Sequence, residues 1–324
     1  MFVFKFRYYF FIFVFSISFL CPLICNDVPL FVWFDGGLYF PVIFDYPETT
    51  WGGDFLTKTN YNDLFVKKLI NSNGFYLMPP VEFSNKTIDW NFTGSFPSKP
   101  NSSHWFGTDS IGRDVFAQIL YGMRFSIIFG FFSTIISYII GLFIGSFQGY
   151  IGGRFDFIGQ RIVEVWSGIP FIYLMIVFAS FYIPSAITLV FIISFFKWTS
   201  FVNVIRVEVL KVRYSNYVKY AQIIGTSRIK IILYHVIPNS ITGAITYMPF
   251  VFVSSITTLI SLDFFGLGLG MESSSLGNLI NDSKNNLESP WIGIYSLMSI
   301  IILLSSITFI IDDIRNIFDS RKYL

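Results

Sequence analysis

Twenty-three consecutive residues, 125–147 (FSIIFGFFSTIISYIIGLFIGSF), carry no charge, and neither do 241–262 or 292–311. A helix crosses the hydrocarbon layer of a bilayer with roughly 20 mostly apolar residues. Runs of this length therefore restrict the chain to folds that a membrane solvates. Composition agrees: 53% of the 324 residues are hydrophobic, 41 of them Phe, and 13% are charged, against about a quarter in soluble domains. The chain is expected to be an all-α integral membrane protein with six transmembrane helices near 8–25, 125–147, 162–183, 186–205, 241–262 and 292–311.

Lys5 and Arg7 precede the first run as they would in a signal peptide, but the residues after it (CPLICNDVPLF) offer no small-residue cleavage site. The expectation is an uncleaved anchor helix over 1–25. Its two thiols, Cys21 and Cys25, read as lipid-facing filler. With the N-terminus inside, segments 1–7, 149–161, 206–240 and 312–324 hold 13 Lys and Arg in 68 residues, whereas 26–109 and 265–290 hold 6 in 110. Positively charged connections stay cytoplasmic, so both termini, including a tail over 312–324, are expected there.

Residues 26–109 form a polar insert with nine acidic residues, five Lys and no Arg. It is rich in turn signals (DGG, YPETTWGGD, MPP) and in Trp. An irregular external subdomain with little regular structure is expected. From Asp109 onward the spacing turns helical, which predicts an interfacial amphipathic helix over 110–124 with Arg113, Asp114 and Gln118 on its polar side. The rest, 125–311, is the transmembrane domain.

Three features within that domain stand out. Gly141, Gly145 and Gly149 repeat every four residues, a spacing that lets a neighbouring helix approach closely in lipid. Glu164 and Lys197 are charges inside the third and fourth runs. Taken as straight antiparallel helices rising 1.5 Å per residue, those runs put the two charges at depths about 4 Å apart, which predicts an intramembrane ion pair; the competing expectation is that Glu164 pairs with Arg161 one turn earlier while Lys197 snorkels or faces a wet pathway. The third feature is the basic loop 206–240, with six basic residues, one acid and an excess of Ile. Gly225 and Pro238 predict a short helix to Ile224, a turn, and a second helix from about Ser227 to His235, which Pro238 ends. That apolar content exceeds what a solvated loop carries, so the loop is expected to dock something.

The stretch YVKYAQIIGTSRIKIILYHVIPNS resembles the cytoplasmic signature loop of ABC importer permeases: E-A-A, three residues, Gly, nine residues, then an Ile-x-Leu-Pro ending. Ala221, Gly225, Ile237 and Pro238 stand at pattern positions, with Ile for Leu at 237. Lys219 and Tyr220 replace the pattern's Glu and first Ala, and His235 replaces its Ile. HWFGTDSIGRDVFAQILYGMRFS, GYIGGRFDFIGQRIVEVWSGIP and SLDFFGLGLG look like the C-type permeases of dipeptide and oligopeptide importers. LYFPVIFDYPETTWGGDF and KNNLESPW look like a narrower branch, the YejE-like permeases of peptide and microcin C uptake.

The resemblance implies a type I ABC importer permease fold and a subunit that forms half of a translocation pathway in the bacterial inner membrane. Its implied partners are a sister permease, ABC ATPase subunits, a periplasmic peptide-binding protein, the peptide itself and the lipid bilayer. Lys219, Tyr220, Ala221, Gly225, His235, Ile237 and Pro238 would couple to the ATPase. The chain has no G-x-x-x-x-G-K-[ST] loop, no metal-ligand cluster, and His only at 104 and 235. No catalysis, cofactor, metal or nucleic acid partner is expected. A secondary transporter would need an inverted repeat and coupling carboxylates, and a membrane-anchored sensor would need a signalling domain; neither pattern is legible here.

Overall fold

The computed structural model describes residues 2–90, 92, 94–270 and 273–320; the last four positions of the expected tail lie outside the described residues. In chain order the elements are α1 (Phe2–Phe19), α2 (Cys21–Ile24), β1 (Phe31–Phe34), β2 (Gly37–Tyr39), α3 (Leu64–Asn73), β3 (Gly74–Leu77), α4 (Val115–Ile151), α5 (Gly153–Ser167), α6 (Phe171–Phe181), α7 (Ala186–Arg213), α8 (Asn216–Ile223), α9 (Arg228–Ile231), α10 (Ile237–Phe264), α11 (Leu276–Asn285) and α12 (Pro290–Ser320). They divide into two units. One is built on Ser126–Gly270 with both chain ends, the other on Ile12–Phe125 with the stretch reaching Leu303.

The expected count of six straight spans is not exact. Among the described residues, α4, α7, α10 and α12 are long and apolar enough to cross a membrane. Helices α5 and α6 are long and apolar enough for a fifth span only when taken together, and they are bent by 65°, where Gly168 caps α5 and Pro170 precedes α6. Pro170 has no N–H to continue the ladder, so the helix ends and restarts. The first run is shorter, its described apolar stretch being Arg7–Phe19, and Pro22 sits at the start of α2.

In the first unit, α4 lies against α7 along the glycine row. A Cβ on Gly141 would come within 2.4 Å of Phe201 Cβ, one on Gly145 within 3.0 Å of the Val202 carbonyl, and one on Gly149 within 2.9 Å of Val209 Cγ1. Ser194 Oγ donates to the carbonyls of Val190 and Ser133, so a hydroxyl also bridges the two helices. Leu142, Phe201, Ile205, Val209, Ala244 and Val251 fill the core where α4, α7 and α10 meet.

Within the insert, expected as an irregular subdomain with little regular structure, short regular elements form. β1 pairs antiparallel with both β2 and β3 to make a three-stranded sheet. Asp35 and Gly36 both have positive φ, 47° and 77°, the backbone of a type I′ turn, for which Asp-Gly is the favoured pair. Val32, Phe34, Tyr39 and Tyr76 on one sheet face pack with Trp51, Tyr61, Val66 and Ile70. Trp51 Nε1 donates to Thr59 Oγ1 at 3.0 Å, and burial pushes the Tyr61 phenol up to about 12. Cys21 and Cys25 do not face lipid: both are buried with Val81, Ala117 and Leu120.

The expected amphipathic helix over 110–124 is also corrected. Helix α4 starts only at Val115, and Arg113, Asp114 and Gln118 are buried. Asp109 accepts from the Arg113 backbone N–H and side-chain Nε, both at 2.8 Å, and from Gln118 Nε2 at 2.6 Å. Asp114 accepts from Ala117 N at 2.8 Å, capping α4, and lies 2.8 Å from His104 Nδ1. Asp89 is 3.3 Å from His104 Nε2. Helical periodicity recognised the polar residues but not that they satisfy one another, which lets charge be buried.

Burial disfavours imidazolium at His104, but the hydrogen bonds and charges of Asp114 and then Asp89 outweigh it and raise the pKa. A raised folded-state pKa stabilises fully below the unfolded value of about 6.5 and is lost as pH rises through the folded value. His104→Asn is expected to destabilise the protein by about 1–3 kcal/mol. In thermal melts, the gap from wild type should be widest at pH 6 and narrow on alkalinisation. A gap that is constant or grows with pH contradicts the charged pairing.

Candidate coupling site

Helix α8 leaves α7 through a tight turn in which Ser215 Oγ donates to the Val212 carbonyl at 2.6 Å. Val218 and Ala221 are its buried residues, and Gln222 Nε2 donates to the Tyr150 hydroxyl at the end of α4 at 3.0 Å. The helix ends in a Schellman arrangement: Thr226 N–H donates to the Ala221 carbonyl and Gly225 N–H to the Gln222 carbonyl, both at 3.0 Å. Gly225 has φ +83° with open space around its missing side chain. The constraint there is backbone handedness, not crowding.

The second helix differs from expectation because it does not stop at Pro238. From α9 it passes through one wide π turn, Ile232–Val236, and continues as α10. Proline lacks the N–H and its ring collides with the carbonyl four residues back; a π turn relieves that clash by widening the coil. Nearby carbonyls find other donors. Asn239 Nδ2 donates to His235 O at 2.7 Å and Ser240 Oγ to Val236 O at 2.9 Å. Movement imposed at α8–α9 thus has a continuous helical route into α10.

The isoleucines divide into two sets. Ile231, Ile232 and Val236 are buried in the core beside Val218 and Ala221, with Ile237 packed at its edge. Ile223 and Ile224 are 79% and 81% exposed, and Ile229, Tyr220 and Tyr234 join them on the outer side. Of the sequence-predicted coupling residues, Lys219, Tyr220, Gly225 and Pro238 are exposed, His235 is half-buried and Ala221 faces inward. The outer surface is therefore an apolar tip fringed by Lys219, Arg228 and Lys230. Spacing alone could not tell Ile223 from Ile231.

The Glu164–Lys197 pair is not formed. Glu164 accepts from its own-helix neighbour Arg161 at 2.6 Å, while Lys197 Nζ donates to Ser254 Oγ on α10. The depth argument treated 162–183 as straight, which the 65° bend removes. Facing also decides: α5 meets α7 through Val163 and Trp166, which pack on Trp198 and Val202, and Trp166 Nε1 donates to the Phe195 carbonyl. Glu164 is turned away from that seam. A tie the sequence did not reveal is Arg206 with Asp156, both oxygens engaged at 2.6 Å, joining α7 to α5. Their 50-residue separation hides it from local pattern.

The family model for the binding-protein-dependent transport system inner membrane component matches residues 137–322, the part of the chain that contains this tip. Among curated relatives, the inner membrane ABC transporter permease protein YejE of Escherichia coli is 43% identical over 95% of this chain and 90% of its own length. The peptidoglycan transport system permease protein YejE of Agrobacterium fabrum is 36% identical, covering 94% and 86%. The oligopeptide transport system permease protein OppC of Haemophilus influenzae is 30% identical, covering 74% and 77%. A chain of the MetNI methionine ABC transporter, solved in inward-facing conformations, superposes with a TM-score of 0.52 at 15% identity over 61% of this chain and 95% of that one, which establishes the type I importer permease fold. A family match over more than half of the chain and a full-length relative at this identity lead to one conclusion: the protein belongs to the inner-membrane components of binding-protein-dependent transport systems, the non-catalytic permease subunits of ABC importers.

Proposed function

We propose that this chain forms half of the translocation pathway of an ATP-driven importer of peptides, with a sister permease as the other half. The observation that carries the reading is the exposed Ile223–Ile224 tip on the Gly225 turn, continuous through the π turn with α10. An apolar surface of this kind on a rigid helix fits a cleft in an ATP-hydrolysing partner, and packed interfaces switch between discrete arrangements, so closure of the ATPases would move α10. Residues 219–238 are the docking element. Substrate class rests on the relatives, whose names specify oligopeptide, dipeptide and peptidoglycan transport; microcin-like peptide antibiotics fit the same class. Both termini and the tip are cytoplasmic in this reading, supported by the Lys and Arg distribution. The insert faces outward, where a binding protein would deliver substrate.

Purification of the tagged chain from membranes is expected to bring down an ABC ATPase and a second permease. Cells lacking the chain should lose at least about 10-fold in initial uptake of a labelled oligopeptide, and ATP depletion should have the same effect. Uptake that survives ATP depletion but collapses with a protonophore would establish a secondary transporter instead.

A further inference from the structure

Helices α7 and α10 run antiparallel side by side. A Cβ at Gly243 would lie 2.5 Å from Glu208 Cγ, the rings of Tyr247 and Phe201 are 5.9 Å apart, and Lys197 binds Ser254. Lys197 is the twelfth residue of α7, about 17 Å along its axis and so near mid-membrane. The core-facing side of α7 is apolar, with Phe201, Val202, Ile205 and Val209 fully buried. Polar residues interrupt the rest of its surface: Lys197 and Ser200 are half-buried and Asn203 is exposed, among half-buried Val204 and exposed Val207. The neighbouring stripe on α10 carries half-buried Ser254 and Ser261 and exposed Thr257.

Serine and threonine alone would not distinguish a wet face from a lipid face, because they donate to their own helix; Thr257 Oγ1 bonds Val253 O and Ser261 Oγ bonds Thr257 O. The lysine and the asparagine do distinguish them. Among the described residues, Lys197 has a hydroxyl for a partner and no carboxylate, and the Asn203 amide has no hydrogen-bond partner. The ammonium, and the amide on another side of the same spanning helix, each face water or another polar chain, because hydrocarbon leaves them unsolvated.

We infer that the seam of α7 and α10 lines the translocation path and that Lys197, held by Ser254, is a mid-membrane site for the carboxylate of the passing peptide. The inference rests on the peptide reading above and adds a charge-recognising residue to it. A single lysine with a flexible stem suits transit: it offers three donors to a carboxylate as a compact point charge, without the rigid fork by which an arginine fixes geometry. Retention by one charge on a flexible stem is weak enough to permit release.

Two measurements on the assembled transporter test this. Thr257→Cys and Ser261→Cys should react with a membrane-impermeant methanethiosulfonate at least about 10-fold faster than Ile187→Cys or Phe191→Cys on the apolar exposed side of α7; both native thiols are buried. Equal rates would remove the seam from the path. Lys197→Gln should lower uptake of a free-carboxylate peptide about 10-fold relative to wild type, with Lys197→Arg within about 2-fold and the C-amidated analogue little changed for either variant. Equal loss for both peptides, with the ATPase still copurifying, overturns the carboxylate site. Loss of copurification with Lys197→Gln does so too, and assigns the lysine to subunit packing. Wild-type uptake of neither peptide fells the peptide reading and the carboxylate with it, while the labelling rates still decide whether the seam is wet.

Discussion

Gly141→Val is expected to reduce recovery of folded protein severely and to lower its thermal midpoint more than any other substitution in the glycine row. Its first added carbon would sit 2.4 Å from Phe201 Cβ and 3.0 Å from the Trp198 carbonyl. Phe201 is fully buried, with Tyr138 and Tyr247 against its ring, so it cannot retreat. Overpacking of a close-packed core costs about 1–3 kcal/mol, and more where backbone opposes backbone. The nearest atoms to Gly149 and Gly145 are 2.9 and 3.0 Å away, so Val there should cost less than at Gly141. Gly168→Ala is the control, because its Cβ meets nothing closer than 3.4 Å. Fluorescence-detected size exclusion of heated, detergent-solubilised protein reads all four. A Gly141→Val midpoint equal to wild type would show that α4 and α7 do not pack as closely as the glycines require.

What could be read from the sequence were features set by local chemistry. Apolar run length located the spans, the four-residue glycine repeat marked the close face of α4, and Gly225 marked a left-handed turn between two helices. What escaped was set by chain direction and by distant partners. Glu164 and Lys197 were paired by a depth calculation that depends on straight helices, and one Gly–Pro break undid it. Arg113, Asp114 and Gln118 read as a wet helix face, because a sequence does not show that Asp109 turns back onto Arg113 and Gln118 or that His104 approaches Asp114 and Asp89. The Asp35–Gly36 hairpin was legible in principle, since Asp-Gly between apolar runs is a strong turn signal; the abundance of other turn residues in the insert obscured it. At the candidate coupling site the same limit applies in finer grain. The isoleucines announced a packed element, but which of them faced the bundle depended on where α8 was pinned by Tyr150 and on the register that the π turn imposes on Ile231, Ile232 and Val236.

That division of isoleucines gives the sharpest separation of coupling from folding. Ile223→Asp with Ile224→Asp should leave membrane insertion and thermal midpoint within a few degrees of wild type, because both side chains are already about four-fifths exposed. ATPase copurification should fall by about 100-fold or more, since each buried Ile contributes about 1.5–3 kcal/mol to an apolar contact and every 1.4 kcal/mol is tenfold in affinity. Ile231→Asp is the opposite case: 1% exposed, it would bury a carboxylate without a partner and should fail to yield folded protein. Gly225→Val isolates geometry, since it removes no contact but places a β-branched residue at φ +83°; it should weaken ATPase association while the spans remain inserted. If the double aspartate variant brings down the ATPase at the wild-type level and couples its hydrolysis to substrate, the tip is not the docking element. If instead Ile231→Asp folds normally, the assignment of inner and outer faces of the loop is reversed, and the apolar surface that meets the ATPase lies on the Val218–Ala221 side.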